Sequence, residues 1–329
     1  MHTDLSEPQL WEHRSTLADP DGVDEFWART LAEARAVGGP LRAEPVTTDL
    51  RTLEVHDVTF PGFGGEPVRA WLRRPVAALR GDAPLPVVVE YVGYGGGRGE
   101  PEERLLWASA GFAHLLVDTR GQGSGWSRGD TPDSGPSGPQ VPGVMTRGVT
   151  SPETSYYRRF LTDAARAVDA ARALPSVGVD VDPARVAVMG TSQGGAAALA
   201  AGALVPDVAA VVAQVPFLCD VPRALAITDA DPFHEVTRYL ARHRSHVDAV
   251  LRTLAHVDGV VMARRGRAPA RFSAALMDAI CPPSTVFGAF HAYAGPKEIV
   301  VWPYNGHEGG ETEDERGALA FLRHHLRHP

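Results

Sequence analysis

Serine, aspartate and histidine side chains become reactive in combination, so the residues able to do chemistry are sought as a set. The strongest single signal is Gly190-Thr191-Ser192-Gln193-Gly194. It follows Arg185 to Met189, an apolar, β-branched run of buried-strand type. It precedes Gly195 to Leu204, almost all Ala and Gly, which reads as a tightly packed helix. Strand, G-x-S-x-G, helix is the setting of a nucleophile elbow. The sharp turn needs small neighbours because its backbone is strained and other chain crosses close by. The Gln193 backbone N–H is then aimed at the same point as the serine hydroxyl, forming half of an oxyanion hole. The other half is expected from a backbone N–H near Gly93 and Tyr94, in the glycine-rich loop after an earlier strand. No register of Gly93 to Glu100 gives the G-x-G-x-x-G of a dinucleotide loop.

A serine hydroxyl needs a base to take its proton, and the base needs an acid to fix its tautomer. On this scaffold they follow in the order Ser, Asp or Glu, His, each after a strand. Asp278 follows the strand-like run Phe272 to Leu276, and His307 follows the next, Glu298 to Trp302. Each has an ordinary reading alone: Asp278 as a helix cap before Pro282, His307 as an exposed loop histidine between glycines. It is the order and placement of all three that point to a triad. Arg120 stays protonated and cannot be a base, so it is expected to pin loops near the elbow with its fork of donors. Most of the other histidines, among them His234, His243, His246, His256, His324 and His325, lie in polar helical sequence or at the ends and are expected at the surface.

The elements that must position these groups alternate between strand and helix, which predicts an α/β fold: a mostly parallel sheet covered by helices on both faces. Phe26, Trp27, Thr30 and Leu31 share one helical face near the N-terminus. Leu53 to Phe60 and Val68 to Arg73 read as antiparallel strands joined at Pro61 to Gly65. Pro86 to Val92 and Phe112 to Val117 read as buried strands, and Tyr156 to Leu174 as a helix. Asp118 to about Thr150 is a long Pro/Gly-rich loop, of a length usually tied to function or interaction. From about 216 to 267 the pattern turns helical and polar, as an inserted cap over the strand ends. One domain over 1–329 is expected, with 1–50 as an N-terminal helical extension.

The 329 residues are 44% hydrophobic and 22% charged, ordinary for a globular protein, with a formal net charge of −8. That balance, without a basic block, argues against a nucleic-acid partner. No apolar stretch is long and uncharged enough to cross a bilayer, and Met1 to Glu7 lacks the positive start and apolar run of a signal peptide. Cys219 and Cys281, the two cysteines, are expected as buried free thiols in a reducing compartment. Neither pairs with histidines at metal-ligand spacing, so no metal or organic cofactor is expected.

Beyond these features the sequence resembles carbohydrate esterase family seven, the cephalosporin C deacetylases and acetyl xylan esterases. Three motifs carry the match: Arg120-Gly121-Gln122, Gly190 to Gly194, and His307-Glu308. Longer stretches agree too, including Tyr94 to Gly99, Gly129 to Asp133, Met145 to Gly148, Val215 to Cys219, Ile280 to Phe287 and Tyr293 to Ile299. The resemblance implies an α/β-hydrolase fold and a cytoplasmic serine esterase acting on acetylated xylo-oligosaccharides and the acetyl ester of cephalosporin C. It implies a hexamer built as a trimer of dimers, with the loop after Asp130 as a subunit contact. Carried over by position, Ser192 is nucleophile, His307 base and Asp278 the orienting acid. Tyr94 and Gln193 supply the oxyanion N–H groups. Trp107, Trp126, Phe217 and Ile280 are candidates for the acetyl pocket, and Arg120, Gln122 and Glu308 for support around it. An esterase, amidase or acyltransferase with another acyl preference remains open, as does a non-catalytic binding protein on this scaffold.

Overall fold

The structure, a computed structural model, describes residues 4–81, 83–135 and 138–328. The chain opens with α1 (Glu7–Glu12) and α2 (Val23–Val37), then β1 (Arg42–Val46), β2 (Leu53–Pro61) and β3 (Pro67–Pro75). The αβ alternation follows as β4 (Leu85–Tyr91), α3 (Leu106–Ser109), β5 (Ala113–Val117), α4 (Tyr156–Ala173), β6 (Val181–Thr191), α5 (Gln193–Leu204) and β7 (Ala210–Gln214). Next come α6 (Val221–Ile227), α7 (Phe233–Arg242), α8 (Val247–Ala255) and α9 (Gly259–Ala263). The chain closes with β8 (Ala270–Ala275), α10 (Pro283–Ala292), β9 (Lys297–Trp302) and α11 (Glu311–His325). Among the described residues no helix is long and apolar enough to cross a membrane.

Among the described residues one nine-stranded sheet runs in the order β1-β2-β3-β5-β4-β6-β7-β8-β9. The pairs from β1 through β3 to β5 are antiparallel, and those from β5 through β4 to β9 are parallel. The parallel strands are buried on both faces, which is why they read as unbroken apolar runs rather than alternating ones. On one face pack α2, α4, α5, α9 and α10, with Phe26, Trp27, Phe160, Leu161 and Val260 in the core. On the other, Val88, Phe112, Met189 and Val212 meet Ala318, Leu322 and Leu326 of the α11 region.

Three features differ from the sequence reading. The N-terminal extension contributes a strand, β1, because Arg42 to Val46 finds a partner edge on β2; its polar composition hides an edge strand. Within the stretch read as a polar cap, α9 is buried throughout and packs with α5 and α10 in the sheet-covering layer. His256 is 7% exposed, its ring edge-on to Phe26 at 5.1 Å, because α2 folds over it and Trp27 Nε1 donates to its carbonyl at 2.8 Å.

Arg120 is wholly buried and forks onto three carboxylates. Its Nη2 donates to Asp163 Oδ1 at 2.9 Å, and its Nη1 donates to Glu66 at 2.8 Å and to Asp133 at 3.3 Å. Thus α4, the β2–β3 turn and the long loop meet at one guanidinium. Burial opposes the charge of Arg120, yet Asp163 and Glu66 outweigh it and raise its pKa. Burial likewise opposes ionisation of Asp133, but Arg159 and Arg120 hold its pKa below the ordinary 3.8.

Two stability measurements follow. A Cβ on Gly194 would lie 2.1 Å from the Tyr91 carbonyl oxygen, a backbone atom that cannot swing aside. Gly194→Ala is therefore expected to cost about 3 kcal/mol in denaturant unfolding; a loss under about 0.5 kcal/mol would show that the elbow relaxes freely. The depressed pKa of Asp133 gives stability that is complete above its unfolded value of 3.8 and is lost as pH falls toward the folded value, because the unfolded chain takes the proton first. Asp133→Asn should therefore lower stability at pH 7 and flatten its fall below pH 4; an unchanged acid slope would remove Asp133 from that role.

Candidate active site

The elbow is as tight as its glycines imply. A Cβ on Gly190 would sit 2.3 Å from the Gly194 carbonyl carbon, and one on Gly195 would sit 3.1 Å from Pro216. Ser192 itself adopts φ 59° and ψ −120°, a conformation that costs an L-residue on the order of 1–3 kcal/mol. It is held there by backbone bonds from Ser192 N–H to the Gln214 carbonyl and from Phe217 N–H to the Ser192 carbonyl, both 2.9 Å, and from Ala196 N–H to the same carbonyl at 3.1 Å. The neighbouring crossover is strained as well, with positive φ at Val215, Leu218 and Asp220.

Two loops bring the acid–base groups to this serine. His307 Nε2 lies 2.9 Å from Ser192 Oγ, and His307 Nδ1 lies 2.8 Å from Asp278 Oδ2. Asp278 is fully buried after β8, and its Oδ1 accepts N–H bonds from Ile280 at 2.8 Å and Cys281 at 2.9 Å. The helix-cap alternative for Asp278 is thus half right: the carboxylate does hold the turn before α10 with one oxygen and leaves the other for histidine. Glu308 is exposed and accepts from the Gly306 N–H at 2.9 Å and Asn305 Nδ2 at 3.2 Å, shaping the loop that carries His307.

Gln193 opens α5 and Tyr94 lies in the loop after β4, and neither backbone N–H has a hydrogen-bond partner among the described residues. Gln122 ties the two segments together. Its Oε1 accepts from Gly95 N–H at 2.6 Å, while its Nε2 donates to Gln193 Oε1 at 3.0 Å and to Tyr156 Oη at 2.8 Å. Tyr157 Oη adds a bond to Gln193 Oε1 at 3.2 Å.

Ser192 and His307 open on a cavity of about 450 Å³ lined also by Tyr91, Gly93, Tyr94, Trp126 and Ile280. Trp126 lies over the glycine loop, its Nε1 donating to the Tyr94 carbonyl at 2.8 Å; a Cβ on Gly96 would meet its ring at 2.3 Å. Two pocket candidates sit elsewhere. Trp107 is packed with Phe112 and Met189 on the α11 face of the sheet, because α3 turns that side chain away from the strand ends. Phe217 is buried behind the wall, its ring 6.4 Å from that of Tyr94 and 4.4 Å from that of Phe233. Arg104, Asp231 and Pro232 line the cavity and were not singled out from sequence. Arg104 sits in an acidic stretch with no motif, and the change of pattern at 216 signalled a cap without saying which residues reach the mouth. Arg104 pairs with buried Glu90; burial opposes ionisation there, but Arg104 and His114 hold the Glu90 pKa down to about 2.

Asp278, Cys281 and His307 each bring a possible metal-ligating atom within 4.8 Å of the others. Asp278 and His307, however, bond each other directly. Burial, with Asp278 nearby, pushes the Cys281 thiol well above its ordinary pKa, which disfavours the thiolate a metal needs. The donor set therefore suits proton transfer better than an ion.

With this geometry in place, comparison with known proteins is specific. The model of the acetyl xylan esterase family (AXE1) matches residues 1–325. Acetyl esterase Axe7A of Xylanibacter ruminicola is 27% identical over 293 residues, which cover 88% of this chain; the chain spans 64% of that relative's length. The acetyl xylan esterase from Paenibacillus sp. R4 superposes with a TM-score of 0.89 at 34% identity, over 98% of this chain and 100% of that one. Acetyl xylan esterase 1 from Thermoanaerobacterium sp. gives 0.85 at 29% identity, over 97% and 99%. The chain belongs to the acetyl xylan esterase family, carboxylic ester hydrolases on the α/β-hydrolase fold.

Proposed function

We propose that this protein is a serine esterase that removes acetyl groups from small acetylated substrates, acetylated xylo-oligosaccharides and cephalosporin C type esters among them. The observation that carries the reading is the unbroken series Asp278, His307, Ser192, with contacts of 2.8 and 2.9 Å, opening on a cavity. Family membership and the acetyl esterase relatives support the acyl group.

In this mechanism His307, with its Nδ1 proton donated to Asp278, takes the Ser192 Oγ proton at Nε2 as Oγ attacks the acetyl carbonyl. The new C–O bond makes a tetrahedral oxyanion, which the Tyr94 and Gln193 backbone N–H groups stabilise. Collapse breaks the bond to the alcohol, and His307 hands its proton to the departing oxygen. Water then adds to the acetyl-enzyme with His307 again as base, releasing acetate and restoring the serine. Asp278, with two N–H donors on its other oxygen, is held in place opposite the imidazolium. A small acyl site discriminates by roughly 10–200-fold per added methylene, so chain length is the sensitive readout.

Hydrolysis of p-nitrophenyl acetate, butyrate and octanoate tests the reading. Acetate should be preferred steeply, and Ser192→Ala should lose at least about 10⁴-fold in kcat. Activity of that variant within tenfold of wild type would rule out the serine mechanism. A flat or rising chain-length profile would keep the triad and remove the deacetylase assignment. The family resemblance also supports a cytoplasmic hexamer, a trimer of dimers, using the loop after Asp130; Pro136 and Ser137 of that loop lie outside the described residues. Light scattering should give the mass of six chains, and a single-chain mass would reject the hexamer.

A further inference from the structure

One buried carboxylate near the site takes no part in the steps above. Glu235, in the first turn of cap helix α7, is 3% exposed, and among the described residues it forms no ion pair. Its hydrogen bonds come from two other parts of the chain. Its Oε1 accepts from Tyr94 O–H at 2.6 Å, and its Oε2 accepts from Met145 N–H at 3.0 Å. The Tyr94 hydroxyl oxygen in turn accepts from Val144 N–H at 2.7 Å. The long loop passes so close that a Cβ on Gly143 would lie 2.1 Å from the carboxylate. Cap, long loop and oxyanion loop therefore meet at Glu235 and the Tyr94 phenol.

Resting on the reading of Tyr94 as an oxyanion donor, we propose that Glu235 is a positioning residue for that donor, so that turnover depends on a seated cap. The Tyr94 peptide is fixed on its far side by Trp126 Nε1 on its carbonyl and by Gln122 Oε1 on the next N–H. The phenol is the remaining handle, and Glu235 with Val144 holds it. Glu235 does not line the cavity, so it acts through Tyr94 and not on substrate. Its chemistry fits geometry better than stability. Burying a carboxylate among neutral donors costs free energy, and an apolar side chain would dock the cap without that cost. Burial, the largest effect on Glu235, does raise its pKa, against the bonds from Tyr94 and Met145. What the carboxylate adds is two acceptors at fixed separation, one for each loop. An oxyanion donor displaced by a fraction of an ångström loses most of its advantage, since the transition-state contact is distance-sensitive.

The test compares Glu235→Ala, Glu235→Gln and Tyr94→Phe with the double variant Glu235→Ala/Tyr94→Phe, using p-nitrophenyl acetate and trifluoroacetone. The ketone forms a tetrahedral adduct with the serine and so reports on the oxyanion hole. Glu235→Ala and Tyr94→Phe should each lower kcat about tenfold or more with KM within about threefold, and should weaken ketone inhibition by the same factor as kcat. Glu235→Gln, which keeps an acceptor for the phenol, should recover part of the loss. The double variant should be no worse than the worse single one, because both cut the same link. Tyr94→Phe and Glu235→Gln guard against a cap that simply unfolds in Glu235→Ala. A kcat within twofold of wild type in Tyr94→Phe, a rise in KM in place of a fall in kcat, or additive losses would each overturn the proposal. If the ketone inhibits wild type and all variants alike, the role of Glu235 falls and the esterase reading stands. If it does not inhibit wild type, the kcat comparison alone decides the role of Glu235, and absence of p-nitrophenyl acetate turnover in wild type as well sinks both readings.

Discussion

The approach of the Gly194 backbone to the Tyr91 carbonyl is the constraint on which the rest of the site depends. With no side chain at 194, α5 can begin directly against the end of β4. That contact puts the first N–H of α5 beside the loop that leaves β4, so the two proposed oxyanion donors face the same space. It also forces the turn at Ser192 into an unfavourable backbone conformation, which lifts the hydroxyl out of the sheet and toward His307. The strain is tolerated because the surroundings leave no alternative. Gln214 and Phe217 bond the Ser192 peptide from one side, while α5, mostly Ala and Gly, is buried against β6, β7, α4 and α9 on the other.

Order in the loops comes from buried carboxylates that gather backbone N–H groups. Asp118 accepts from the N–H groups of Arg98, Thr119, Asp130 and Thr131. Asp258 does the same for Asp220, Val221 and Val260, and Asp278 for Ile280 and Cys281. Backbone groups outside helices and strands must find partners when buried, and a carboxylate can satisfy several at once. This is how the stretch from Asp118 to Ser155, without a helix or strand among its described residues, can wall an active site. The same device recurs in Asp278, whose second oxygen bonds His307, and in Glu235, which joins two loops to the cap.

Much of this was legible in the sequence because it rests on local rules. The elbow shows itself as a strand, G-x-S-x-G and an Ala-rich helix, since only small residues tolerate the crossing. Asp278 and His307 are legible from their order and from the strands before them, and the parallel sheet from its unbroken apolar runs. Edge strand β1 was hidden because its partner lies some residues away and its own sequence is polar. Trp107 was misplaced because neighbours in sequence need not share a face: Arg104 reaches the cavity while Trp107 packs beneath the sheet.

The sequence by itself determined the fold class and the family, and it singled out Ser192, His307 and Asp278 as the candidate triad. Each depends on residue type, on local motifs and on the order of strand-and-loop units along the chain. Only the tertiary structure decided which side chains wall the cavity, where Arg120 spends its charge, and that Glu235 meets Tyr94 across 141 positions of sequence. Those contacts join segments that share no periodicity or motif. They exist because packing brings the cap, the long loop and the strand ends to one place, where buried polar groups must find partners.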